Sequence, residues 1–308
     1  MTTAHNPAAA FYASPTARGV AALLRGLHRV SPDLGTRVAL SLFFTPMPTK
    51  WLARSRDVPR PWAERQLPFE GGHISVWQRD DVEPGRPKVL LVHGWAGDAQ
   101  QLRAQGDALA AAGFDPLLLD LPAHGRSSGW RSNLLQWVRA LFAVTSRFGP
   151  WDGVVAHSLG ALATAHALTR GLPARRAALL ALAPPPAQFL GWFAQAVGTG
   201  EALAVRMRGR VEQREGVSLS HFEPVWLGER MAQPTLIVHD RGDVTAPLSG
   251  SETLLAGLAA GRLHVTEGLG HRRLLSDPAV MLQVCDHLAA SAPLPRAAAH
   301  ALHVVAST

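Results

Sequence analysis

The chain has 308 residues, 47% of them hydrophobic and 17% charged, with a formal net charge of +7. That is enough to bury a large core, as one large domain or two small ones, and too apolar for a disordered or fibrous protein. No apolar run approaches the ~20 residues that cross a bilayer. Cys285 is the only cysteine, which excludes an internal disulfide, so the expectation is a soluble, cytoplasmic protein that does not need an oxidising compartment.

Residues 1–17 are rich in Ala, Pro, Thr and Ser, lack the pattern of a secretory signal, and read as a loose terminus. Apolar residues at helical spacing over 20–27 predict a first helix. Ser31-Pro32-Asp33 is a good N-cap and first turn for a second, carrying Leu34, Val38 and Leu42. The charge is concentrated here. Residues 1–60 hold Arg18, Arg25, Arg29, Arg37, Lys50, Arg54, Arg56 and Arg60 against Asp33 and Asp57, a net +6. Such basic amphipathic helices are expected to pack on the rest of the chain, to make a dimer contact, or to attach peripherally to an anionic membrane. Nucleic acid is not an expected partner, because no recognised nucleic-acid module accompanies the charge. The Pro-rich stretch 46–68 reads as an irregular linker, so residues 1–68 form an N-terminal extension.

From residue 69, short β-rich runs alternate with helical stretches, the pattern of βαβ units and a mostly parallel sheet covered on both faces. The strands are expected at 74–77 (ISVW), 89–92 (VLLV), 116–119 (PLLL), 154–155, 178–182 (ALLAL), 235–238 (TLIV) and 263–265 (LHV). The alternation breaks between Pro184 and Pro234, where Phe189, Trp192, Phe193, Phe222 and Trp226 lie among small and basic residues; residues 185–233 read as an inserted helical cap. Cys285 reads as a small buried hydrophobe near a helix end. The α/β body is expected over 69–290 and an Ala- and Pro-rich tail over 291–308.

In an open α/β sheet, ligands bind outside the carboxyl ends of the strands, and several loops there carry chemistry. The stretch VVAHSLGA at 154–161 nearly fits G-x-S-x-G, with Ala156 in place of the first glycine, and makes Ser158 a candidate nucleophile. A hydroxyl needs a base, and His271 in a glycine-rich loop after the last strand can swing over the sheet edge. His93 and His124 sit in glycine turns and fit packing or backbone hydrogen bonding better, while His157 is expected to point the wrong way. Asp243, after the strand at 235–238, best fits the orienting carboxylate; Asp240 is the rival and reads as a loop cap or a partner of Arg241. The Trp95 and Leu159 N–H groups are the candidate oxyanion donors, one in His93-Gly94-Trp95, the other opening the helix after the serine.

These motifs, in this order, resemble the α/β-hydrolase superfamily from about residue 69 to 290: VLLVHGWAG at 89–97, DLPAHGRSSG at 120–129, VVAHSLGA at 154–161, LIVHDRGDVTAP at 236–247 and GLGHRRLL at 268–275. The resemblance implies an α/β-hydrolase fold with an inserted helical cap, Ser158 as nucleophile, Asp243 as acid and His271 as base. It also implies an oxyanion loop at His93-Gly94-Trp95 and a structural loop from Asp120 to Gly129. The expected activity is that of a bacterial serine hydrolase or esterase on a small-molecule carboxylic ester or thioester. Acyl transfer, perhydrolysis and carbon–carbon hydrolysis stay open on the same triad. An inactive binding or scaffold protein of this fold is the non-enzyme alternative. Trp192, Phe193, Phe222 and Trp226 are expected either to line an apolar acyl pocket or to glue cap to core. No metal-ligand spacing or dinucleotide fingerprint occurs, so no cofactor or metal is expected.

Overall fold

The second of the two N-terminal helices begins where the sequence offers a cap. In this computed structural model, which describes residues 15–46 and 57–290, α1 spans Pro15–Val30 and α2 spans Pro32–Phe43. The Ser31 hydroxyl accepts the Leu34 N–H at 3.3 Å, and Pro32 fills the first helical position, where no N–H is needed. Of the terminus expected to be loose over 1–17, residues 15–17 instead open α1, while residues 1–14, the basic residues Lys50, Arg54 and Arg56, and the tail from Ser291 lie outside the described residues.

The sheet follows in chain order: β1 (Trp62–Phe69), β2 (Gly72–Arg79), β3 (Lys88–Val92), α3 (Arg103–Ala111), β4 (Asp115–Leu119), α4 (Leu134–Phe148), β5 (Gly153–His157), α5 (Leu159–Thr169) and β6 (Ala177–Leu180). After α6 (Pro186–Ala196), α7 (Gly200–Glu215) and α8 (Pro224–Gly228) come β7 (Thr235–Asp240), α9 (Leu248–Gly257), β8 (Gly261–Thr266), α10 (Gly270–Arg273) and α11 (Pro278–Ala289). The eight strands lie in the order β1-β2-β4-β3-β5-β6-β7-β8. Only β1 with β2 and β2 with β4 pair antiparallel; the others are parallel. This is the α/β-hydrolase fold.

The linker expectation over 46–68 is overturned at its end. Trp62–Phe69 is a full strand in register with β2, so the sheet starts before residue 69. Pro68 disguised it: β1 is an edge strand, and a proline there deprives no neighbour of a ladder hydrogen bond. Trp62 anchors the strand, buried with its indole N–H donating to Asp107 at 2.9 Å.

The chain forms two compact units: the described residues up to Thr45 with Pro184–Glu223, and the sheet with the remaining helices. In the first, α1 packs on α2, α2 on α7, and α6 on α7. Leu24, Leu190, Phe193, Leu203 and Met207 are buried there, and the Phe43 and Phe193 rings meet edge-on at 5.5 Å. Arg25 donates to the Val197 carbonyl at 2.9 Å, and Asp33 pairs with Arg210 at 3.1 Å. The N-terminal helices therefore pack on the inserted helices. The insertion is also shorter than 185–233, because α8 packs on α9 and belongs to the sheet unit.

In the sheet unit, the central strands are buried on both faces, which is why they read as unbroken apolar runs instead of alternating ones. β4 lies on one side of β3 and β5 on the other. At this reversal of strand order the chain leaving β3 runs on to β4 and the chain leaving β5 to β6, the place in an open α/β sheet where ligands bind at the carboxyl ends.

Candidate active site

Ser158 stands at the carboxyl end of β5, at that reversal. It joins β5 to α5 with φ 54° and ψ −123°, a backbone conformation that costs energy for any residue with a side chain. Its N–H continues the ladder to Leu180 O at 2.9 Å while its carbonyl accepts the Leu162 N–H at 3.2 Å, so the turn is pinned from the strand and the helix. A sharp strand-to-helix turn of this kind lifts the hydroxyl out of the sheet. The two small-residue positions of the motif differ in what they must allow. Ala156 is fully buried within β5, between β3 and β6, and its methyl is accommodated. At Gly160 a Cβ would run into the His93 carbonyl oxygen, so only glycine lets α5 approach the end of β3.

Three side chains from three strand ends form one hydrogen-bonded run. The Ser158 hydroxyl lies 2.9 Å from His271 Nε2, and His271 Nδ1 lies 2.6 Å from Asp243 Oδ2. His271 comes from α10, the short helix after β8, and Asp243 from the loop after β7. The second oxygen of Asp243 accepts the Thr245 and Ala246 N–H groups at 2.8 and 2.9 Å. Burial works to raise the Asp243 pKa, but His271 and the two amides more than offset it and hold the carboxyl below the usual carboxylate range. An ionised, fully satisfied carboxylate fixes the imidazole with its proton on Nδ1 and its lone pair toward the serine.

Asp240 has other work. It accepts hydrogen bonds from the Gly242 N–H, the Leu269 N–H and the Thr266 hydroxyl, tying the loops after β7 and β8 together. Arg241 pairs with Glu267 instead.

The loop after β3 lies directly against the serine: a Cβ on Gly94 would stand 2.9 Å from Ser158 Cβ. The Trp95 N–H follows this contact, and the Leu159 N–H is the first of α5, where a helix offers no internal acceptor. The loop is held from behind. Ala96 N–H donates to His124 Nε2 at 3.1 Å, Leu121 N–H to His93 Nε2 at 3.0 Å, and the Trp95 ring packs 5.0 Å from His124 and 5.6 Å from Trp137. His93 and His124 thus do the backbone work expected of them. Asp120, buried, receives the Ala99 and Arg126 N–H groups and the Trp77 indole, and braces the loop through Gly129.

The aromatic residues expected near a substrate fall into both units. Trp192, Phe193 and Phe222 are buried in the first unit. Trp226 belongs to the sheet unit, stacks 5.8 Å from His166 of α5, and has the Arg230 guanidinium 4.6 Å from its ring centroid. All four have packing roles in the structure. Cys285 is buried on α11.

Sequence reasoning missed two histidines. His157 makes no hydrogen bond to the Ser158 hydroxyl, but its Nε2 lies 2.9 Å from the His271 carbonyl, with the two rings 4.8 Å apart. His239, fully buried, has Nε2 3.6 Å from Asp243 Oδ2 and 2.8 Å from Ala246 O, closing the loop around the acid. Its place at the end of β7, four residues before Asp243, was the available signal. Among the described residues, no cluster of His, Cys, Asp and Glu could hold a metal ion, and no helix is long and apolar enough to cross a membrane.

Comparison with known proteins agrees with this architecture. The family described as alpha/beta hydrolase fold matches residues 87–209. A 2-hydroxy-6-oxononadienedioate/2-hydroxy-6-oxononatrienedioate hydrolase of Klebsiella pneumoniae is 27% identical over 260 residues, covering 66% of this chain and 86% of the relative. An esterase of Pyrococcus furiosus superposes with a TM-score of 0.59 at 17% identity, covering 76% of this chain and 96% of its own. A thioesterase domain from the curacin biosynthetic pathway gives a TM-score of 0.55 at 17% identity, covering 74% and 99%.

Proposed function

The chain is an α/β hydrolase in fold, and from that premise we propose that it is a serine hydrolase cleaving a carboxylic ester or thioester through an acyl-enzyme on Ser158. The observation that carries this reading is the unbroken run from the Ser158 hydroxyl through His271 to Asp243. His271 Nε2 takes the hydroxyl proton as Oγ attacks the acyl carbon, and Asp243 stabilises the resulting imidazolium. The Trp95 and Leu159 N–H groups receive the oxyanion of the tetrahedral intermediate. Collapse returns the His271 proton to the leaving alcohol or thiol. A water activated by the same imidazole then releases the acid.

The Klebsiella relative favours a second reading, hydrolysis of a 2-hydroxy-6-oxo dienedioate on the same relay. A doubly carboxylated substrate and a neutral apolar ester separate the two readings cleanly. The test is fluorophosphonate labelling with a panel of p-nitrophenyl esters of increasing chain length and a 2-hydroxy-6-oxo dienedioate. Wild type is expected to label and to prefer short or medium apolar acyl groups. Ser158→Ala loses labelling and at least about 10³-fold in turnover. A wild type that resists the probe while a control serine hydrolase reacts would sink the serine mechanism.

A further inference from the structure

His157 occupies the position just before the serine, at the end of β5, and its ring turns toward the middle member of the relay. Its Nε2 is 2.9 Å from the backbone carbonyl of His271 itself. A carbonyl oxygen only accepts, so the proton of the neutral ring is on Nε2 and Nδ1 is a bare acceptor. That Nδ1 is buried and has no hydrogen-bond partner. The ring is 3% exposed and meets the His271 ring at 4.8 Å. A buried acceptor left unmatched lowers stability, and an apolar residue of similar size would avoid that loss. The one thing the histidine supplies that an apolar residue cannot is its N–H to the His271 carbonyl.

We propose that His157 is a positioning residue, a backbone clamp that holds the turn carrying His271 so that its Nε2 stays on the Ser158 hydroxyl. This rests on the serine-hydrolase reading for its catalytic consequence but not for the clamp itself. Asp240 holds the Leu269 N–H at 2.8 Å on the entering side of the turn, and His157 holds the His271 carbonyl beyond it. The turn's residues Gly268 and Gly270 take φ values of 78° and 63°, and α10 is only four residues long, too short to hold an orientation by its own hydrogen bonds. The clamp also has to remain neutral, because a second positive charge beside the His271 imidazolium would oppose its formation. Burial first, and then the neighbouring His271 charge, push the His157 pKa down to about 3, so it carries no charge through the neutral range. The nucleophile and the base are thereby tied to adjacent residues: Ser158 makes the side-chain contact, and His157 fixes the backbone from which the base projects.

The experiment compares wild type with His157→Gln, whose amide N–H reaches about as far as Nε2, and His157→Leu, which removes the donor. Amide hydrogen exchange over residues 268–273 needs no turnover and reads the clamp directly. It is expected to rise in His157→Leu and to stay near wild type in His157→Gln, with ¹⁵N NMR showing the Nε2–H tautomer at residue 157. Kinetically, kcat of His157→Leu falls on the order of 10- to 100-fold with KM within about twofold, and His157→Gln recovers most of it. Thermal melts establish that both variants are folded. Unchanged exchange in a folded His157→Leu, or the opposite tautomer in wild type, overturns the clamp. Faster exchange with unchanged kcat overturns its role in positioning. If wild type itself fails to label at Ser158, the serine reading falls while the exchange result still decides the clamp; where Leu fails to fold, the Gln variant and the tautomer decide it.

Discussion

Two small residues flank Ser158, and only one of them is required to be small. Ala156→Gly is expected to keep labelling near the wild-type rate and cost about 1 kcal/mol, the backbone penalty of glycine in a strand. Gly160→Ala is expected to cost about 3 kcal/mol or more and to slow labelling, because its methyl displaces the His93 carbonyl and the loop carrying the Trp95 N–H with it. Chemical denaturation with probe kinetics measures both. Buried histidines set the acid sensitivity of the fold. His287, which donates to Ala177 O at 2.9 Å, has its pKa pushed down to about 4 by burial and, next, by Arg176. Below its ordinary value of about 6.5 the unfolded chain takes up a proton that the folded chain refuses, so stability falls as pH drops from 6.5 toward 4. His287→Gln removes that share, at most about 3 kcal/mol, and flattens the pH dependence of the urea midpoint relative to wild type.

Among the elements, α6 and the segment before α8 settle whether the aromatic residues pack or bind. Phe193 is 3% exposed and meets Phe43 edge-on, so the packing role predicts that Phe193→Ala lowers stability by about 3–5 kcal/mol and leaves the ester chain-length profile unchanged. A shifted profile at unchanged melting temperature would instead assign it to the acyl pocket. Thermal melts and the ester series read the two outcomes separately. The exposed Asp33–Arg210 pair on the neighbouring helices carries much less, since solvent screens a surface ion pair.

For the whole molecule, the grouping of α1 and α2 with the inserted helices makes the N-terminal segment part of a shared core. A chain starting at residue 57 loses the cover of α6 and α7 while keeping every residue of the relay. It is expected to aggregate, or to be cut by protease within residues 184–223, where the full chain resists. A truncated protein as protease-resistant and soluble as the full chain would show that the two N-terminal helices add little to that core.

The sequence by itself determined the alternation of strands and helices, the cap at Ser31, and the order of Ser158, Asp243 and His271, because periodicity, capping and turn chemistry are local. It misread Trp62–Phe69, whose Pro68 is harmless only on a sheet edge, and edge position is a property of strand order. It also set aside His157, since nothing local to residue 157 reveals a carbonyl 114 residues away. Only the tertiary structure brought the three strand ends within hydrogen-bond reach and gathered helices from residues 15–45 and 184–223 into one unit. Those outcomes depend on the order in which the strands pair and on which apolar faces find each other, and long-range packing alone decides both.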